Sequence, residues 1–475
     1  MLKIYFTFFI IFFSVIGFSQ NIIGNWEGVL QIQKNEIPIV FHISSDTNGK
    51  FIATFDSPKQ KAFNLACSDV IVTDDSVILM MQILKGRYSG KLNENNNQLT
   101  GTWFQGGGSL PLNVIKTSDK ATIKEIKRPQ IPKPPFNYNV DSVEYDNAGK
   151  TVHLAATLTY PKTMGPFTVA VMITGSGLQD RDETILNHKP FAVIADYLTK
   201  NGIAVLRVDD RNMGKSTGDV IHATSADFAN DVITSIQYLL TRKEIDKNKI
   251  GVIGHSEGGF IAPMIYTKWP ELSFIVSLAG TGVSGSEILL KQQTDGLKNQ
   301  VSNEAFNAYY SLTKQTLQII HDRSNKNDSV MLIKTKKVFN DLKASLPDSI
   351  LKALNMKNTS AELYANAQVK PELKPWLKYF IATEPDEFWS KVKCPVLALN
   401  GEKDIQVYAN QNIPAIMASL KKAGNKNVTA KIIPGLNHLF QHCKSCTVEE
   451  YGELEETFDT ETLKIISNWI KETVH

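Results

Sequence analysis

One stretch constrains this chain more than any other: Gly254-His255-Ser256-Glu257-Gly258. An apolar run, Lys249 to Ile253, leads into it, and a helix-like run, Gly259 to Tyr266, leads out. Strand, sharp turn and helix are the context of a nucleophile elbow. The turn is tight, so the residues two positions to either side of the serine must be small, which accounts for Gly254 and Gly258 by sterics. Such a turn holds a serine hydroxyl above a sheet edge, with the next backbone N–H, that of Glu257, beside it to stabilise an oxyanion.

The pattern recurs at Gly214-Lys215-Ser216-Thr217-Gly218. No strand runs directly into this second copy and no clean apolar helix leaves it, so it reads as a polar loop. Its Gly-Lys-Ser hints at a phosphate loop, but Asp209 stands where that motif needs its first glycine. Context therefore selects Ser256.

The 475 residues are enough for two or more domains, and a hydrophobic content of 42% suits a globular chain with a sizeable core. The formal charge of +3 comes from interspersed acids and bases, which points away from nucleic acid as a partner. The first 19 residues carry one lysine, an apolar stretch to Phe18 and small residues at Gly17 and Ser19. This reads as a secretory signal cut near Ser19–Gln20, with a retained membrane anchor as the alternative. No later segment reaches the length of a membrane span, so the chain is expected to be periplasmic or extracellular, without stable membrane association after cleavage. Of four cysteines, Cys443 and Cys446 sit in a Cys-x-x-Cys near His438 and His442. A local disulfide or two free thiols is the reading there, and a His/Cys zinc cluster is the alternative.

Residues 20–117 look all-β. Short alternating runs such as Ile37 to Ile43, Val77 to Met81 and Leu99 to Trp103 are separated by turn clusters, as in a small barrel or sandwich. Residues 118–137 form a proline-dense linker. From 138 to 475 strands alternate with helices. The continuous apolar runs Val169 to Ile173, Ile203 to Val208, Ile250 to Ile253, Phe274 to Leu278 and Val396 to Leu399 suit strands buried on both faces of a mostly parallel sheet. Between about 283 and 390 the alternation stops. That helical insertion reads as a cap over the site.

A serine hydroxyl needs a histidine base and an acid to orient it, in the chain order Ser, acid, His. His438 follows a strand-and-turn segment that brings a base to the sheet edge, whereas His321 lies in the cap, His442 beside the cysteines and His475 at the terminus. The acid belongs on the loop after the preceding strand: Asp404, with Glu402 as alternate. The second oxyanion N–H belongs on the loop leaving Ile173: Ser176, with Gly177 second. The charges of Asp180-Arg181-Asp182-Glu183 read as scaffolding for that loop, with substrate binding as the alternative, and Asp209-Asp210-Arg211 reads as similar scaffolding.

Together, Gly175-Ser176-Gly177 with Asp180 to Glu183, Arg211 with Gly214-Lys215-Ser216, the Ser256 elbow, Cys394 to Asp404 and Asn437 to Gln441 resemble the bacterial α/β-hydrolase family that includes EstD-type carboxylesterases. The resemblance runs from about Tyr138 to the C-terminus, with a fainter one in the β region. It implies an exported Ser-Asp-His esterase. Thr174 departs from the histidine that many α/β-hydrolases carry before the oxyanion glycine. The chain is thus expected to combine an α/β-hydrolase fold, a helical cap and a small N-terminal all-β domain. Its expected action is on a small-molecule ester, without metal or organic cofactor. A serine peptidase of the same fold, anchoring a substrate amine through cap acids such as Glu287, Glu304 or Glu384, is the main alternative; a non-catalytic binder is the other.

Overall fold

The computed structural model describes residues 22–117 and 127–474, apart from 33–34, 47–48, 61, 74, 82–85, 106–107 and 326. The apolar N-terminal stretch read as a signal lies outside the described residues. The chain divides into two compact units, with the boundary before Lys127.

In the first unit, alternation of buried and exposed residues produces one antiparallel sheet. Its strands are β1 (Gly24–Ile32), β2 (Asn35–Ser45), β3 (Phe51–Ser57), β4 (Ala62–Ala66), β5 (Asp69–Thr73), β6 (Ser76–Met81), β7 (Gly86–Leu92), β8 (Gln98–Gln105), β9 (Gly108–Pro111) and β10 (Val114–Thr117). The order is β4-β3-β2-β1-β10-β8-β7-β6-β5, with β9 on β8. Phe41 on β2 and Phe55 on β3 meet Trp103 on β8, ring centroids 6.5 and 5.9 Å apart. Rings so far apart in the strand order touch because the sheet curls around a single core.

The second unit holds an eight-stranded sheet: β11 (Asn139–Asp146), β12 (His153–Tyr160), β13 (Phe167–Ile173), β14 (Ala204–Val208), β15 (Ile245–His255), β16 (Ile275–Leu278), β17 (Val396–Gly401) and β18 (Val428–Ile433), in the order β11-β12-β14-β13-β15-β16-β17-β18. β11 and the β12–β14 pairing are antiparallel; every pairing from β14 to β18 is parallel. Parallel strands need crossovers, and helices supply them. On one face α1 (Pro190–Lys200) packs Phe191, Ile194 and Leu198 into a core shared with the C-terminal helix. On the other face lie α2 (Ser225–Leu239) and α3 (Glu257–Lys268). Both faces of the central strands are therefore buried, as their unbroken apolar sequences require.

Between β16 and β17 the chain leaves the sheet for α4 (Gly285–Thr294), α5 (Asn303–His321), α6 (Asp328–Ser345), α7 (Asp348–Ala353), α8 (Ala361–Tyr364), α9 (Pro375–Ala382) and α10 (Asp386–Trp389). This insertion has its own core, with Leu312, Ile320, Met331 and Phe339 among its buried members. α11 (Ala409–Lys422), α12 (Val448–Tyr451) and α13 (Thr460–Thr473) complete the unit. No helix among the described residues is long and apolar enough to cross a membrane. Residues 127–137 form neither helix nor strand. Arg128 still donates to the carbonyls of Gly452 (2.7 Å) and Leu454 (2.8 Å), and Gln130 to that of Phe458 (2.6 Å), which ties this segment to the second unit.

Candidate active site

In a parallel sheet the loops that leave the strand ends cluster on one edge. β13 and β15 are neighbours in register, Ile173 opposite Gly254, so the glycine loop after β13 and the turn after β15 emerge side by side. β17 and β18 bring their following loops to the same edge.

Ser256 sits between β15 and α3 with φ 52° and ψ −116°, a conformation that L-residues avoid. The neighbours that allow it are glycines for lack of room. A Cβ on Gly254 would lie 2.1 Å from the Gly258 carbonyl oxygen, and one on Gly258 would lie 2.2 Å from that of Ile173. The loop after β17 supplies Asp404 and the loop after β18 supplies His438. His438 Nδ1 is 2.7 Å from Asp404 Oδ2, both residues buried. Asp404 also accepts the backbone N–H of Gln406 (2.8 Å) and Val407 (2.9 Å) and the Asn400 amide (3.0 Å). Four donors fix the carboxylate and hold His438 with its Nε2 open for other work. Glu402, the alternate acid, is exposed and accepts the Gly435 N–H instead.

Ser256 and His438 line one cavity of about 310 Å³, together with Gly175, Ser176 and Glu257. Among the described residues the Ser256 hydroxyl has no hydrogen-bond partner; such contacts commonly tighten only with substrate bound. The Gly175 N–H is already taken by Glu183 Oε1 (2.7 Å), which leaves the backbone of Ser176, at the cavity wall, as the free neighbour of the Glu257 N–H.

The charges around the oxyanion loop are nearly all engaged. Asp210 accepts the Thr174 hydroxyl (2.9 Å) and the Gln179 N–H (2.8 Å), and burial pushes its carboxyl up to about 8. Asp209 pairs with Arg181, Asp182 with Arg207 and Lys189, and Arg211 with Asp231. Ser216, in the second Gly-x-Ser-x-Gly, is buried and bridges the Ala155 N–H and the Asp209 carbonyl. It is a structural link.

Three contributors escaped the sequence reading. Both ring nitrogens of buried His255 face acceptors, Glu183 Oε1 at 3.0 Å and the His438 carbonyl at 3.0 Å, so both carry protons. Burial works against that charge, but the Glu183 carboxylate outweighs it and holds the imidazolium above its ordinary range. One pair thus links the oxyanion loop to the His438 backbone. The Glu257 side chain is buried as well. It accepts the Ser225 hydroxyl of α2 (2.6 Å) and the Trp376 indole N–H of α9 (2.8 Å), and burial raises its carboxyl. Trp376, the third, is a wall of the cavity anchored by that bond. Only side chains brought from distant parts of the chain reveal these links; no local motif encodes them.

Cys443 and Cys446 are joined by a disulfide, which removes both thiols from any metal site. The cap acids Glu287 and Glu304 are exposed and Glu384 pairs with His321; none lines the cavity.

The family model described as X-Pro dipeptidyl-peptidase (S15 family) matches residues 149–439. Esterase EstD of Thermotoga maritima is 29% identical over 225 residues, 46% of this chain and 51% of that protein. The 2-hydroxy-6-oxononadienedioate/2-hydroxy-6-oxononatrienedioate hydrolase of Escherichia coli is 25% identical over 185 residues, 38% of this chain and 58% of that protein. The chain thus spans about half the length of the curated relatives it matches. A Pyrococcus furiosus esterase structure superposes with TM-score 0.40 and 16% identity over 71% of this chain and 92% of that one. Est1E from Butyrivibrio proteoclasticus, solved with ferulic acid, superposes with TM-score 0.39 and 16% identity over 70% of this chain and 96% of that one. The chain belongs to the X-Pro dipeptidyl-peptidase (S15) family, and about half of it is similar to esterase EstD.

Proposed function

We propose that this family member is a serine hydrolase of carboxylic esters. Ser256 Oγ attacks the ester carbonyl while His438 Nε2 takes its proton; Asp404 holds the imidazole by Nδ1 and stabilises the imidazolium that forms. The backbone N–H groups of Ser176 and Glu257 face the developing oxyanion. Collapse breaks the C–O bond, His438 returns the proton to the departing alcohol, and water activated by the same imidazole hydrolyses the acyl-enzyme.

The observation that carries the reading is the buried Asp404–His438 pair opening onto the same cavity as a strained Ser256. Nothing in passive binding calls for a serine held at φ 52°. A peptidase reading has the family match in its favour. The cavity favours the ester: among the described residues its two lining carboxylates, Glu183 and Glu257, are consumed by protein donors, so none of these acids is left to hold a substrate amine. The test is a p-nitrophenyl ester chain-length series beside an aminoacyl-nitroanilide panel, with wild type and Ser256→Ala. Ester turnover that disappears in the variant is the expected result; faster anilide turnover, equally lost, assigns a peptidase.

The same reading has the chain exported. The Cys443–Cys446 disulfide supports this, since such bonds persist in oxidising compartments. Fractionation and the mass of the mature N-terminus test it; a cytosolic chain with an intact N-terminus rejects it.

A further inference from the structure

An ester presents two groups to the cavity, and the triad dictates which lies where. The leaving oxygen takes its proton from His438, so the alcohol departs on the His438 side; the acyl group remains beside Ser256 and the oxyanion donors. The two sides differ in chemistry. Over the start of α3 stand Trp376 and Phe380 of α9 with Ile288 and Leu289 of α4. This wall is apolar and rigid: Trp376 is held by Glu257, and Phe380 meets Phe260 edge-on at 5.8 Å.

The triad-acid side carries neutral polar groups instead. Gln406, whose N–H donates to Asp404, directs its amide to the Tyr451 hydroxyl (3.2 Å). The Gln406 carbonyl in turn accepts the Gln292 amide of cap helix α4 (2.9 Å). Cap, acid loop and α12 are thereby joined in one strip along the cavity. The side-chain oxygens of Gln292 and Gln406 accept nothing from the described residues. No lysine or arginine is among the described residues lining the cavity, and the His255 imidazolium is already paired with Glu183, so an anionic leaving group finds no free counter-ion there, and the engaged carboxylates offer none to a cation.

We propose that this strip binds the alcohol, and that the alcohol is a neutral polyol, a sugar or sugar-like ring, esterified to an apolar acid. Vicinal hydroxyls both donate and accept, as carboxamides do, and they carry no charge. A simple alkyl alcohol that displaces water from half-buried Gln406 leaves its amide oxygen unmatched, and a site built for hydroxyls discriminates against a substrate that lacks them. The apolar neighbours Leu439 and Val448 suit the C–H face of such a ring. The inference rests on the esterase reading.

The test uses the full chain and a fixed acyl group: 6-O-butyryl-glucose, 1-O-butyryl-glycerol, ethyl butyrate and p-nitrophenyl butyrate. The better of the two polyol esters should exceed ethyl butyrate in kcat/KM by about tenfold or more, chiefly through KM. Gln406→Leu, and independently Gln292→Leu at the exposed cap position, should shrink that ratio to about threefold or less. Equal or better use of ethyl butyrate, with p-nitrophenyl butyrate still cleaved, overturns the polyol proposal alone. A polyol preference that survives both substitutions overturns the assignment to the strip. No turnover of any butyrate overturns the esterase reading with it.

Discussion

At the residue scale the carboxylates Asp404, Glu183 and Glu257 are each held by more than one partner while the Ser256 hydroxyl is held by none of the described residues, and this sets what single substitutions do. Ser256→Ala removes the proposed nucleophile without touching a packed side chain, so ester turnover should fall by about 10⁶-fold while thermal unfolding stays within a few degrees of wild type. Asp404→Asn leaves the shape but forces the wrong imidazole tautomer, and kcat should drop by about 10⁴-fold. Steady-state rates on a p-nitrophenyl ester measure both. Glu183 never touches the reacting atoms; it acts through Gly175 and His255. Glu183→Gln retains an acceptor and loses the charge that keeps His255 an imidazolium. It should lower kcat by about a hundredfold, as small misplacements of reacting groups do, with little change in KM. A purely structural Glu183 would instead lower the unfolding temperature and leave kcat per folded molecule unchanged.

At the element scale the elbow depends on two chain segments touching backbone to backbone. Gly254→Ala drives a methyl into the Gly258 carbonyl, and urea unfolding should show a loss of about 3 kcal/mol or more. A second element-level constraint lies at His188. Its Nε2–H donates to the Tyr451 carbonyl at the end of α12 (2.8 Å), and its Nδ1 meets the Thr457 hydroxyl (2.9 Å). Burial, helped by the Arg128 charge, pushes this imidazole down to about 4 from an ordinary 6.5. Between those values the unfolded chain binds the extra proton. The stability this packing supplies is complete above pH 6.5 and drains away as pH falls towards 4, by on the order of 3 kcal/mol. Urea unfolding at pH 7 and pH 4.5 should show a smaller acid loss for His188→Gln than for wild type. These elements also show what a sequence can and cannot disclose. Val169 to Ile173 and Val396 to Leu399 were readable as central strands because burial on both faces leaves no polar residue in them. That Ser256, Asp404 and His438 come to one sheet edge was readable because each follows a strand-and-turn signal and parallel strands bring their following loops to the same side. The His255–Glu183 pair, the Glu257–Trp376 bond and the Gln292–Gln406–Tyr451 strip were not, because each joins residues far apart in the chain that only the folded sheet edge and cap bring together.

At the scale of the whole molecule, every described residue that lines the candidate cavity belongs to the second unit. That unit has cores on both faces of its sheet and a further core in the cap, enough apolar burial for independent folding. A chain beginning at Lys127 should therefore fold alone and hydrolyse small p-nitrophenyl esters with kcat/KM within about threefold of the full chain. The starting point matters. Arg128 and Gln130 satisfy carbonyls at Gly452, Leu454 and Phe458, close to the Tyr451 that borders the cavity. A chain beginning at Tyr138 loses those bonds. At about 1 kcal/mol for each lost hydrogen bond it should unfold at distinctly lower urea concentration than the chain from Lys127, with KM rising before kcat falls as the segment around Tyr451 loosens. If the Lys127 chain folds, by circular dichroism and a cooperative urea transition, yet loses small-ester activity, the first unit contributes to catalysis itself. If small-ester activity is kept and only larger esters are lost, the first unit acts on substrate delivery. Equal rates on all esters would place its role outside the reaction altogether.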